Sequence, residues 1–219
     1  MDSRKRSLIW RRALAKIGQI KKGSFEGSRP LSDSYWKEKL DPLHRPNTEL
    51  QTLWNEFRKD NSFTSLDFYT WLAVKNKVPK QQVTYLEEAQ RATYNITFNG
   101  ADIVFSNEAQ QAGMNEYDGE LIFALDGANN FYFGVKAVGT FHHSSMLAGA
   151  PVAGAGTILV SHRHINEVNN HSGHYKPGMA EMRKVATAMK VRGAAVHAIV
   201  IKVYTNNKIE WQGKAMLLT

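Results

Sequence analysis

Tyr94-Asn95-Ile96-Thr97-Phe98-Asn99-Gly100-Ala101-Asp102-Ile103-Val104-Phe105-Ser106 is the stretch on which the fold turns. Ile96 and Phe98 sit two apart, as do Ile103 and Phe105, and a period of two puts each pair on one face of a strand. Between them, Asn99-Gly100 tolerates the positive φ that a tight hairpin turn requires. Tyr94 to Phe98 and Ala101 to Ser106 are therefore expected as paired antiparallel strands.

Upstream the period is helical. Thr48-Glu49-Leu50-Gln51 fits a capping box, in which the Thr hydroxyl and Gln amide satisfy end N–H groups, and Leu50, Leu53, Trp54 and Phe57 follow at helical spacing. Phe63 to Lys75 repeats the pattern with Leu66, Tyr69 and Leu72. A third segment, Lys80 to Thr93, uses Val83, Leu86 and Ala89 as its inner face. Downstream, strands are expected at Glu120 to Leu125, Phe131 to Ala137, Thr157 to Val160 and Ile165 to Val168. A helix from Met179 to Val191, ended by Gly193, presents Met182, Val185 and Met189. Two last strands, Ala195 to Tyr204 and Lys208 to Leu217, are joined across Asn206-Asn207. The fold class is α+β: N-terminal helices, then a mostly antiparallel sheet with one late helix.

The 219 residues suffice for one substantial core, and the apolar content is that of a globular protein. No cysteine is present, which excludes a disulfide, a thiolate nucleophile and a thiolate metal site. That suits a reducing cytosol, and equally a chain threaded unfolded through a specialised secretion system into a host cytosol. The longest apolar run near the N-terminus, Leu8-Ile9-Trp10, is too short for a signal-peptide core, and no run approaches a membrane span. Neither a Sec signal nor a transmembrane segment is expected.

Charge is unevenly spread. Residues 1–29 hold nine Lys and Arg against Asp2 and Glu26, a local +7 out of the total +8. The chain divides accordingly into a basic arm with linker, 1–29, and one α+β domain, 30–219. In the arm, Trp10, Leu14 and Ile17 fall near one side of a helix and Arg11, Arg12 and Lys16 around the other. Such a helix suits calmodulin or another acidic protein, a membrane surface or a targeting receptor, and it could also pack on its own domain. Trp10, Leu14 and Ile17 are the candidate partner-binding residues. Gly18, Gly23, Ser24, Gly27 and Ser28 then supply a flexible linker. General nucleic-acid binding is not indicated, because the positive field belongs to an arm and not to a folded face.

Seven of the eight histidines lie at or beyond His142, in two dense clusters, Phe141 to Gly149 (FHHSSMLAG) and His171 to Tyr175 (HSGHY). If Thr140 to Ser144 continues a strand, His142 and His143 point to opposite faces and only one can serve a common pocket. The run from Gly149 to Gly156 lets the backbone turn sharply, but it has neither a Gly-Lys-Ser/Thr ending nor a GxGxxG, so it is no phosphate loop.

The blocks Trp71-Leu72, Val83-x-Tyr85-Leu86, Gly139-x-Phe141-x-His143-Ser144-Ser145-x-Leu147-x-Gly149, Ala155-Gly156 and Ser172-Gly173-His174-Tyr175-x-Pro177 carry a resemblance. In order and spacing they are similar to the C-terminal module, following the IQ motif, of plant IQ-motif calmodulin-binding proteins, and to related bacterial and fungal modules. The IQ element itself is absent, since Ile17-Gly18-Gln19-Ile20 lacks its spaced arginines. Calmodulin binding therefore rests on the amphipathic arm. The resemblance implies an effector-like, host-directed protein and supplies no reaction.

The residues leave several chemistries open. His143 and His174 could exchange protons near neutral pH, Ser144 could attack or bind, and Tyr175 could stack on a ring or donate a proton. With Glu210, the order His143, Tyr175, Glu210 matches the residue types of ADP-ribosyltransferases, for which NAD is the cofactor and Ser145, Gly149 and Ser172 are the candidate contacts. A serine triad is not indicated, since no GxSxG elbow occurs. A metal would have to use His162-x-His164, which sits better at a hairpin turn. Against all of these stands a structural role, in which the same side chains bond each other and buried backbone to hold an irregular loop on the sheet. For Ser172-Gly173 the expectation is a turn with a hydroxyl cap.

Overall fold

The computed structural model describes residues 25–30, 49–60, 71, 75 and 83–219. Trp10, Leu14 and Ile17, the Thr48 cap and most of the Phe63 to Lys75 segment lie outside them. The described helices are α1 (Glu49–Lys59), α2 (Glu88–Arg91), α3 (Glu108–Asn115), α4 (His143–Met146) and α5 (Met179–Val191). The strands are β1 (Asn95–Asn99), β2 (Asp102–Phe105), β3 (Asp118–Leu125), β4 (Phe131–Gly134), β5 (Gly154–Ser161), β6 (His164–Asn169), β7 (Val200–Thr205) and β8 (Lys208–Lys214). The fold is α+β.

β1 and β2 pair across Asn99-Gly100 with Ile96 opposite Phe105, as the alternation demands. The sheet order is β2-β1-β4-β3-β5-β6-β7-β8, and β2 returns to pair with β6. Six strands therefore close into a barrel, from which β7 and β8 extend. The seam is short: Asp102 lies opposite His164, with Ile103 N–H donating to Arg163 (3.0 Å) and Ile165 N–H to Ala101 (2.9 Å). Among the described strands only β6–β7 is a parallel pair, and α5 is its crossover, as a parallel pair requires.

Ile96, Phe98, Ile103, Phe105, Leu121, Phe123, Leu125, Phe131, Phe133, Ile158, Val160 and Ile165 form one buried cluster with α5 residues Met182, Val185 and Met189. Phe98 meets Phe131 edge-on at 5.3 Å between centroids, a favoured aromatic geometry. Residues 121–125 are all buried because both faces of β3 are covered. The alternate residues Ile122 and Ala124 join Tyr132, Met146, Leu147, Val152, Ala155 and Tyr175 in a second apolar cluster on the other face. The two histidine-bearing segments are packed there.

The structure corrects several expectations. Of the helix expected over Lys80 to Thr93, the described residues 83–93 hold only α2 and the start of one 3₁₀ turn, Ala92–Tyr94. Val83 and Leu86 are buried as expected, but Ala89 is exposed. Thr84 N–H donates to Thr140 O (2.7 Å) and Leu86 N–H to Ser145 O (2.9 Å), so long-range partners take the backbone groups a helix would have used. The strand expected to reach Ala137 ends at Gly134, that expected from Ala195 starts at Val200, and β8 gives way to a 3₁₀ turn at Ala215. α3 was not expected; Asn107 caps it by accepting from Gln110 N–H (3.1 Å).

Candidate functional site

Thr140 to Ser144 is not a strand. His142 is the N-cap of α4, its N–H donating to Ser145 Oγ (2.9 Å), while Gly139 N–H donates to His142 Nε2 (3.2 Å). The helical turn swings both rings to one side, contrary to the opposite faces that a strand would impose. His142 stacks on His174 at 5.1 Å between centroids and His143 lies 5.9 Å from it. The three rings are buried together at 7, 4 and 6 % exposure for His142, His143 and His174, which makes them interior groups.

Hydrogen bonding sets the tautomers. A carbonyl can only accept, so the 2.9 Å contact between His143 Nε2 and Gly156 O places the proton on Nε2 and leaves Nδ1 as an acceptor. For His142 the donor is a backbone N–H, so Nε2 accepts and the proton of the neutral ring sits on Nδ1. Burial pushes the His143 imidazole down to about 3; the Gly156 bond opposes this, and His174, Lys136 and His142 add to the depression. His143 is thus neutral at pH 7 and is not the proton exchanger that its residue type allows near neutrality.

The remaining candidates occupy the same region in different ways. Ser145 Oγ is engaged by His142 N–H. Ser172 Oγ accepts from Tyr175 N–H (3.4 Å), the hydroxyl-capped turn expected from the sequence. Gly149 takes φ +76 and donates to Ser144 O (2.8 Å), closing the α4 turn through a conformation that favours glycine. Tyr175 is 2 % exposed, its ring set in the second apolar cluster and its hydroxyl donating to Ala150 O (2.9 Å). That arrangement leaves no ring face open for stacking. His143, His174 and Tyr175 are therefore brought together although the sequence separates the two segments widely.

Glu210 is not brought there. It is exposed on β8, where Thr205 Oγ1 donates to its carboxylate, and no hydrogen bond or ring contact joins it to His143 or Tyr175. His162 and Arg163 take φ +49 and +75 in the β5–β6 turn, and His164 is paired with Asp102 (3.0 Å). Among the described residues no cluster of three His, Asp or Glu is placed to hold a metal ion. No described helix is long and apolar enough to cross a membrane.

Ser144 differs from Ser145 and Ser172, whose hydroxyls are engaged. Its Oγ is wholly buried and has no hydrogen-bond partner among the described residues. An orphaned hydroxyl costs stability, so Ser144→Ala is expected to stabilise the fold by about 1 kcal/mol, measured by urea unfolding. A loss of more than about 1 kcal/mol would mean that the hydroxyl has a partner after all.

Two residues that sequence reasoning left out complete the arrangement. Asn170 donates through Nδ2 to Pro177 O (2.8 Å) and Tyr204 O (2.9 Å) and accepts from Tyr204 N–H (2.7 Å), so its amide acts as one more ladder residue between β6 and β7. Arg29, counted from the sequence as an arm cation, exchanges backbone bonds with Val152 and donates from its guanidinium to Tyr175 O (3.1 Å) and Lys176 O (2.6 Å). Residues assigned from the sequence to the linker are thus held on the domain from Phe25 onward. Arginine before proline after a Gly-Ser pair was the available signal, and it is weak.

The family described as "IQ motif-containing protein middle domain" matches residues 90–182, from α2 into α5, including both histidine segments. Among curated proteins of Arabidopsis thaliana, IQ domain-containing protein IQM2 is 27% identical over 186 residues, covering 77% of this chain and 30% of its own length. IQ domain-containing protein IQM3 is 27% identical over 184 residues (77% and 40%), and IQM5 is 26% identical over 189 (80% and 38%). The chain resembles the IQM-type module, and it spans 30 to 40% of the length of these relatives. No solved structure matches it.

Proposed function

We propose that the chain is a non-catalytic interaction module in which the histidine cluster is the keystone of the fold and the basic arm engages an acidic protein, calmodulin first among them. The observation that supports this is the closed state of His143: buried, neutral and committed to the Gly156 carbonyl. Such a group organises a loop and has no proton to give at pH 7. The likeness to IQ domain-containing proteins points the same way. The rival, an effector-like transferase of ADP-ribosyltransferase type using NAD, needs a carboxylate beside His143 and Tyr175, and Glu210, exposed on β8 and bonded by Thr205 Oγ1, has no hydrogen bond to either.

Trp10 fluorescence tests the partner, with Trp10→Phe to control the other tryptophans. Added calmodulin is expected to shift Trp10 emission to the blue, more strongly with calcium, and Ile17→Ala to weaken binding about tenfold as loss of an apolar anchor. No shift with or without calcium removes calmodulin. A shift with anionic vesicles alone assigns the arm to a membrane surface.

A further inference from the structure

We propose that the edge at Val152, just before β5, with the carbonyls of Tyr175 and Lys176, is a binding groove for a Gly-x-Arg peptide that enters through a turn, filled in this structure by the chain's own Phe25–Pro30, in which Ser28 N–H donates to Phe25 O (2.9 Å). Backbone direction creates the edge. Ala153 N–H donates to Leu125 O on β3 (2.7 Å), so Val152 turns its N–H and C=O to the opposite side, where β6 runs. The β5–β6 pairing extends only to Thr157 opposite Asn169, after which the chain departs into the turn held by Asn170. The departure leaves Val152 without a strand neighbour. Arg29 takes that place, its N–H donating to Val152 O (2.6 Å) and its C=O accepting from Val152 N–H (2.9 Å). This is strand addition to a sheet edge.

The departing turn supplies the side-chain pocket. Its successive carbonyls of Tyr175 and Lys176 accept from Nε and Nη2 of the same guanidinium (3.1 and 2.6 Å), a fork that an ammonium group cannot reproduce. Two residues earlier Gly27 stands at φ +68, a conformation that favours glycine, and Lys184 Nζ donates to its carbonyl. Apart from Lys184, the hydrogen-bond partners of residues 27–29 are main-chain groups, and Phe25 packs on the core cluster beside Gly127. The groove therefore reads one bridged arginine and, two positions before it, the glycine of a tight turn, and nothing in it demands that the peptide belong to this chain. The inference does not depend on what the arm binds.

The test uses the full chain and a labelled peptide of residues 24–31, Ser-Phe-Glu-Gly-Ser-Arg-Pro-Leu. In fluorescence anisotropy, Arg29→Ala is expected to bind this peptide at least about tenfold more tightly than the unsubstituted chain, whose groove is filled, and replacing the peptide's Arg by Ala should weaken binding about tenfold or more. Equal binding of the Arg and Ala peptides overturns the proposal, as does absence of binding by a folded Arg29→Ala chain. Hydrogen exchange on the unsubstituted chain gives a readout that needs no variant. Excess Arg peptide should speed exchange of the Arg29 N–H, displaced from Val152 O, while the Val152 N–H stays protected by the incoming strand. No change at Arg29 under millimolar peptide counts against the groove.

Discussion

Gly156→Ala is expected to destabilise the protein by about 3 kcal/mol or more, enough to abolish folding in a marginally stable domain. A Cβ at this position of β5 would stand 1.9 Å from the Asn169 carbonyl oxygen and 2.8 Å from the Phe123 ring. The ring could yield by rotating. The carbonyl could not, because Asn169 is fixed opposite Thr157 on one side and Lys202 on the other. Relief would require β5 and β6 to separate, and such a movement would also pull the Gly156 carbonyl from His143 Nε2. Gly113→Ala is the control of opposite sign: nothing lies within 4 Å of its Cβ position in α3. There alanine should stabilise by roughly 0.5–1 kcal/mol through helix propensity. Urea unfolding of both variants decides; a Gly156→Ala protein as stable as its parent would mean that β6 does not cross β5 this closely.

Acidification is expected to produce the second large effect. The folded state holds His143 near 3, against an ordinary imidazole value of 6.5, because burial disfavours the charged ring. Between these values the unfolded chain binds a proton that the folded one refuses, so stability rises with pH through the window. The contribution is complete above about pH 6.5 and is lost as pH falls toward 3. It amounts to about 2–3 kcal/mol between pH 6.5 and 4.5, and on the order of 4–5 kcal/mol over the whole window. His174, Lys136 and His142 push the His143 value in the same direction. In His143→Gln, the side-chain amide can still donate to Gly156 O but does not titrate. Its unfolding free energy should therefore fall by about 2–3 kcal/mol less than that of the parent over the same acid step. Equal slopes would place the acid sensitivity elsewhere.

Local physics explains which elements could be foreseen. Asn99-Gly100 and Asn206-Asn207 announce their hairpins because positive φ is a property of the residues themselves, and Gly100, Asn206 and Asn207 all adopt it. α5 runs over Met179–Val191 as its spacing and the following Gly193 require, since its apolar stripe, cap and stop agree. α3 carries few large apolar residues in EAQQAGMN, and only the Asn107 cap could have revealed it. α4 was hidden for another reason. Four residues cannot sustain a helix alone, and this turn is held from outside by Leu86 N–H on Ser145 O and from within by Ser145 on His142 N–H. A sequence pattern could therefore flag His143 and His174 as a pair but not show that His142 also stacks on His174 or that all three rings are buried. The chemistry of Arg29 was similarly out of reach, because a charge count cannot show that a cation is spent on two carbonyls 146 and 147 positions away.

The barrel seam bears on how the chain reaches its native state. β1–β2, β3–β4, β5–β6 and β7–β8 are hairpins between neighbours in sequence, which form on the microsecond scale. Asp102 and His164 lie 62 positions apart, and bringing them together carries the loop-closure entropy that hairpins avoid. Until they meet, β2 is an end strand whose outer N–H and C=O groups are unpaired, and it carries Ile103 and Phe105. An open strand of that composition is a template for a second chain. Closure of two or three hydrogen-bonded positions thus separates a state open to strand-edge pairing from the closed barrel, in which the end strand among the described residues, β8, carries Lys208 and Lys214 as a guard.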